Sequence, residues 1–202
     1  MHFARTLDQM LAFLKVRTPG ASGRPDMAKV KAFSAAHPET LHQASYLAAH
    51  LPPRSLAATT YWGVHAFPAT NSRGETRFIK FKVVPVAAAV APSGDKAKVR
   101  SADSLHHDLE KRIAAGDVRF SVIALLGRPG DPVMDVTVRW PDEDAREEVR
   151  LGTIVITGLE ANDACDAPIF DPARLAEGIG YPPDEIFAAR RVAYAISPAK
   201  RR

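Results

Sequence analysis

The sequence predicts an α+β fold, and three features point to it. Apolar residues recur at helical spacing through the first fifty positions. The middle of the chain switches to strand alternation broken by Gly, Pro and Asn clusters, and the last twenty residues return to a helical stripe. The length, 202 residues with 46% hydrophobic and 25% charged, suits one domain with a real core.

The first helix starts after Thr6, whose spacing to Gln9 is that of a capping box, and Leu7, Met10, Leu11 and Leu14 share one face. Residues 18–25 hold two prolines and two glycines and predict a loop. Asp26 caps a second helix over Met27–Ala36 with Val30 and Phe33 inward. Pro38 suits the first turn of a third, with Leu41, Ala44, Leu47 or Ala48, and Leu51 inward, ended by Pro52-Pro53.

Residues 61–68 and 76–84 flank the turn Asn71-Ser72-Arg73-Gly74 and predict a β-hairpin. In its second run Ile79, Phe81 and Val83 share one face, Lys80 and Lys82 the other. Residues 87–98 predict a loop. A helix starts at Ser101 or Asp103, presents Leu105, Leu109 and Ile113, and ends at Gly116. Strands follow over Val118–Leu126 and residues 149–157, separated by the breaker 127–132 and Trp140-Pro141. Pro182-Pro183-Asp184 opens a last helix to about residue 197, with Ile186, Arg190, Ala193 and Tyr194 on one face and Arg201 continuing the stripe.

Composition excludes several classes. No apolar run reaches the roughly 18 residues of a membrane helix. The first residues lack a basic region followed by an apolar one, so the sequence as written predicts a cytoplasmic protein. The single cysteine, Cys165, excludes an internal disulfide and a Cys-rich zinc site, and it reads as an inert loop thiol. The net charge of +4 is scattered apart from Lys200-Arg201-Arg202, which predicts no nucleic-acid surface. Asp142/Asp144 and Glu147/Glu148 read as solvated loop charges.

From Ser55 onward the sequence resembles the haem catalase superfamily, most closely its catalase-related peroxidase branch. The resemblance is carried by Gly63-Val64-His65-Ala66-Phe67 with Asn71 and Gly74, by Val138-Arg139-Trp140-Pro141 followed by Leu151-Gly152-Thr153, and by Phe170-Asp171-Pro172-Ala173-Arg174-Leu175, Gly178-Ile179 and Arg190-x-x-x-Tyr194. Residues 5–16 are also similar to a family helix. The resemblance implies a catalase-like antiparallel β-barrel, of which about four strands, half the barrel, are present. It divides one domain into a helical segment (1–54), barrel strands with one inserted helix (55–160), and a Phe-Asp-Pro loop with the haem-ligand helix (161–202).

The resemblance also implies haem b, with Tyr194 as the proximal axial ligand to iron. A tyrosine ordinarily ionises near pH 10, and an arginine one turn earlier, Arg190, favours the phenolate that ferric iron needs. Ile186 and Ala193 are implied to face the porphyrin and Arg201 a propionate. Thr60 takes the place of an asparagine that the resemblance puts beside peroxide. The family's distal histidine, its orienting serine and a further arginine lie N-terminal to everything in this sequence, so the implied protein is a truncated member. His65 then reads as a half-buried strand histidine, neither ligand nor catalyst.

The implied activity is haem-dependent peroxidation by hydrogen peroxide with an organic electron donor, weak without the distal group. Half a barrel also implies a free sheet edge and a need for self-association or for the missing N-terminal half. A longer relative could be periplasmic. A non-catalytic haem-binding or interaction protein is the alternative.

Overall fold

The computed structural model describes residues 1–50, 54–86, 102–166, 168 and 170–197. Three helical segments come first: α1 (Leu7–Arg17), α2 (Met27–Ala36), and a 3₁₀ turn (Pro38–Leu41) that runs into α3 (His42–Ala49). Both expected caps form. Thr6 Oγ1 accepts from Gln9 N, Asp26 Oδ1 accepts from Ala28 N and Lys29 N, and Gln9 Oε1 returns to Arg5 N, one residue earlier than a capping box requires.

The helices turn differently from the expected faces. Leu7, Leu11 and Leu14 of α1 are exposed, while Phe13 stacks on Phe3 at 4.4 Å and meets Phe33 of α2 edge-on at 6.2 Å. These aromatic rings, and not the leucine stripe, take the inner side of the helix. In α3 the expected inward leucines also face out, Leu47 being 64% exposed. The 3₁₀ turn that precedes α3 has three residues per turn and shifts the phase. Gln43, which donates to Met1 O at 3.2 Å, and Tyr46, against the Arg139 guanidinium, take the inner side. Leu51 and Pro52-Pro53 lie outside the described residues.

The sheet has five antiparallel strands: β1 (Tyr61–Trp62), β2 (Phe67–Thr70), β3 (Thr76–Pro85), β4 (Val118–Leu126) and β5 (Glu148–Ile156). The hairpin forms with Phe67 opposite Ile79 and Thr70 opposite Thr76. The run before the turn is two strands rather than one, both on the same edge of β3. Trp62 pairs with Lys82 and Phe67 with Ile79, so residues 63–66 span a gap that only residues 80–81 fill on β3. This wide bulge drives the chain out of register and turns His65 into the protein. Gly63 makes the bend possible: its N–H donates to Phe81 O at 2.7 Å, and a Cβ there would meet that oxygen at 3.0 Å.

Helix α4 (Ser104–Ala115) stands before β4 and lays Leu109 and Ile113 on a core of Ala57, Val118 and Phe120. Residues 87–98 lie outside the described residues. β4 pairs with β3 on one side and β5 on the other, and β5 is the outer strand, exposed along nearly its whole length. The sheet is open. Its inner face near β5 lines a cavity of about 900 Å³ with Ile79, Ala124, Leu126, Val149 and Leu151 among its walls.

The lysine face of β3 is no solvated face. Lys80, 5% exposed, pairs with Glu143 at 2.8 Å, and Lys82 pairs with Glu148 at 2.6 Å. Arg139 holds the other Glu143 oxygen and Asp144, Arg146 clasps Asp131, and Lys80 and Arg146 both lie against the Trp140 ring, at 5.1 and 4.9 Å from its centroid. Asp142, Asp144 and Glu147 are exposed as expected and each also meets an arginine, Arg128, Arg139 and Arg77 in turn, while Glu148 begins β5 rather than lying in a loop. Cys165 is exposed as expected, but in a short helix, α5 (Asn162–Asp166), rather than a loop.

The last helix, α6 (Glu185–Ile196), is capped by Asp184, which accepts from Phe187 N at 2.8 Å. The chain reaches it along the sheet. Residues 178–180 run antiparallel to β2, with Thr70 N donating to Gly178 O and Gly180 N to Pro68 O, both at 2.7 Å.

Candidate functional site

Four side chains from two distant parts of the chain form one line. Asp184, at the start of α6, is 1% exposed and accepts from His65 Nδ1 at 2.9 Å and 3.2 Å. His65, 5% exposed, meets Arg190 Nη1 with its Nε2 at 3.1 Å. Arg190 Nη2 donates to Tyr194 Oη at 3.1 Å.

The donor inventory assigns every proton in this line. A guanidinium only donates, so His65 Nε2 is an acceptor and its proton sits on Nδ1, aimed at the Asp184 carboxylate. Arg190 likewise donates to the tyrosine oxygen. Because arginine keeps its proton throughout the ordinary pH range, the line does not conduct protons; it orients the guanidinium and keeps its charge beside Oη. Asp184 compensates that charge from the far end in a buried, weakly screened setting.

Packing holds the line in place. Phe187 meets His65 edge-on at 5.2 Å and Phe67 at 5.6 Å, which ties the first turn of α6 to the bulge and to β2. His2 lies in the same electrostatic neighbourhood. Burial pushes its imidazole below the ordinary histidine value against a bond to Ala4 O, and the nearby Arg190 charge acts in the same direction as burial.

The expected face of α6 is thus partly assembled. Arg190 and Tyr194 are half-buried, one turn apart and bonded. Ile186 is 2% exposed and packs inside, so the helix surface left open beside Tyr194 carries Ala193, which is exposed, and not Ile186. Thr60 stands half-buried just before β1, and among the described residues nothing joins it to the line. Arg201 lies outside the described residues. The reading of His65 as a half-buried strand histidine needs correction: it is buried and sits in a bulge. Asp184 and Phe187 are not visible as site residues in the sequence, where Asp184 reads only as a cap. The pointer available was the Gly63-x-His65-x-Phe67 pattern, with glycine permitting the bend that aims the histidine.

The catalase family model matches residues 14–202. The chain belongs to the catalase family. Among curated catalase-family proteins it is 33% identical over 190 residues to a catalase-related peroxidase of Synechococcus elongatus, covering 93% of this chain and 56% of that protein. A catalase-related peroxidase of Mycolicibacterium paratuberculosis is 33% identical over 147 residues, 72% of this chain and 46% of that protein. The chain spans about half the length of the curated relatives it matches. The crystal structure of a fungal catalase superposes with a TM-score of 0.77 at 17% identity, over 99% of this chain and 43% of that one, and a bacterial catalase with 0.75 at 21% identity. The catalase fold is shared, and the mixed helix and open antiparallel sheet is the part of it seen here.

The donor set fits a ferric porphyrin. A half-buried tyrosine whose oxygen accepts from a guanidinium at 3.1 Å, with a small exposed residue at the adjacent helix position, suits a phenolate ligand. Among the described residues no group of three His, Cys, Asp or Glu offers a competing metal site, and no helix is long and apolar enough to cross a membrane.

Proposed function

We propose that this chain is the haem-ligating part of a haem-dependent peroxidase acting on hydrogen peroxide, with Tyr194 as the proximal ligand to iron. The observation that supports it is the 3.1 Å bond from Arg190 to Tyr194 Oη at the end of a buried Asp184–His65–Arg190 line. Arg190 stabilises the anionic oxygen, His65 fixes the plane of Arg190, and Asp184 fixes the tautomer of His65. Ala193 leaves room for a flat ring against the helix. Arg201 is the proposed partner of a propionate. The single cysteine cannot provide a two-thioether attachment, which favours non-covalent haem b.

Haem bound there supplies the redox centre at which peroxide is reduced and an organic donor oxidised. The chain's own contribution to proton movement is small. His65 has both ring nitrogens engaged and is not free to shuttle a proton to peroxide. A positioned acid–base group contributes roughly 100- to 10,000-fold; turnover by this chain alone is accordingly expected to be weak. The open edge of β5 supports completion of the site by self-association or by further strands of the relatives' longer chain.

The test is an absorption titration with hemin of the wild type and Tyr194→Phe. A saturable ferric–phenolate spectrum in the wild type, lost in the variant, is expected. Identical spectra would overturn the assignment, and specific binding without peroxide turnover would favour a non-catalytic haem-binding protein.

A further inference from the structure

At Gly178 and Gly180 the backbone approaches β2 more closely than a residue with a Cβ would allow. Gly178 has φ = +81°, and a Cβ there would stand 2.8 Å from Thr70 O. A Cβ on Gly180 would stand 2.9 Å from the Pro68 ring. Between them Ile179 bridges Ala69, with backbone bonds of 2.7 Å on both sides. Only Tyr181, Pro182 and Pro183 separate this bridge from Asp184, and the two prolines have fixed φ. The connection from the bridge to the start of α6 is therefore short and stiffened at two of its φ angles.

The helix is held chiefly near that start. Leu7 N donates to Glu185 Oε2 at 3.1 Å, Asp184 holds His65, and Phe187 packs on Phe67. Beyond Arg190 the helix exposes Arg191, Val192, Ala193, Ala195 and Ile196. At 1.5 Å per residue, Tyr194 lies about 15 Å beyond Asp184, so a tilt of about 10° at the root moves it by roughly 2.6 Å. A metal–oxygen bond does not tolerate that displacement.

We propose that Gly178 and Gly180 are positioning residues for the Tyr194 site: their close clamp on β2 sets the angle of α6, and with it the place of the tyrosine oxygen. The proposal rests on Tyr194 being the haem ligand, and its test separates the two. Gly178→Ala and Gly180→Ala are compared with the wild type and with Gly74→Ala, which carries the same positive φ (+80°) but has nothing within 4 Å of its Cβ. Two readouts are used on the full chain: the hemin titration, and the distance between spin labels at Val192→Cys and Thr153→Cys in a Cys165→Ser background.

Gly74→Ala is expected to keep hemin affinity within twofold and the same label distance. At least one clamp variant, folded by circular dichroism, is expected to lose about tenfold or more in affinity with the phenolate band, and to shift or broaden the distance distribution. Folded clamp variants with wild-type spectrum and distance overturn the proposal, as does failure of both to fold, which makes the clamp purely structural. If the wild type itself lacks the phenolate band, the ligand reading fails while the label distance still decides whether the clamp aims the helix.

Discussion

Asp184 serves both as the N-cap of α6 and as the partner of His65, and the two roles separate by substitution. Alanine removes both; asparagine keeps the cap acceptor and loses the carboxylate oxygen that accepts from His65. Losing the cap costs about 1 kcal/mol, and losing a buried hydrogen bond to a charged group about 1.5–3 kcal/mol. Asp184→Ala is therefore expected to destabilise by about 2.5–4 kcal/mol. At about 2–4 °C per kcal/mol for a chain of this size, Tm falls by roughly 5–16 °C. Asp184→Asn keeps the cap through its amide oxygen but turns its NH2 toward the His65 Nδ1–H that now meets Oδ2, so it loses the charged bond and not the cap, about 1.5–3 kcal/mol or roughly 3–12 °C. An internal reference exists: Asp26 caps α2, is exposed and has no histidine partner, and its surface pair with Lys29 at 3.9 Å adds little, so Asp26→Ala measures chiefly the cap. Thermal melts followed at 222 nm at pH 7 compare the three. Equal losses in Asp184→Ala and Asp26→Ala would refute the claim that the carboxylate anchors the buried line. Equal losses in Asp184→Ala and Asp184→Asn would refute the separation of cap from charge.

Acid should weaken the fold at the Glu143 cluster. Burial alone raises the Glu143 carboxyl, but hydrogen bonds from Arg139 and Lys80 outweigh it and hold the group below its ordinary value; the same balance, with Arg146, holds Asp131 low. A depressed carboxyl stabilises above its unfolded pKa and loses that contribution as pH falls through the folded one, so urea stability should decline as the pH drops below about 5, and Glu143→Gln should flatten that decline. At neutral pH Glu143→Gln leaves Lys80 buried beside a neutral amide and should cost about 3–5 kcal/mol; a loss below 1 kcal/mol in urea melts would contradict the pairing. The open β5 edge makes a third prediction: Leu151→Lys, which adds a charge to an exposed apolar strand, should reduce concentration-dependent self-association in sedimentation velocity, and an unchanged profile would place association elsewhere.

Much of the local structure was legible in the residues. The caps at Thr6, Asp26 and Asp184, the strand Val118–Leu126 and the turn at Asn71–Gly74 all depend on chemistry within four residues, which a linear sequence displays directly. The pairing of Arg190 with Tyr194 belongs to the same class, because one helical turn separates them. What failed were statements about which side of an element faces inward. Leucines at helical spacing in α1 and α3 were as apolar as a core stripe needs, yet aromatic neighbours and a 3₁₀ turn rotated both helices away.

Thus the sequence by itself determined the order and type of most elements, the family, and the Arg190–Tyr194 pair. Only the tertiary structure decided that His65 and Asp184, 119 residues apart, complete the line behind that pair, and that Lys80 is buried against Glu143. The reason is physical: intrahelical contacts follow from spacing, whereas a contact across the sheet depends on register, and here a two-residue bulge between β1 and β2 sets that register.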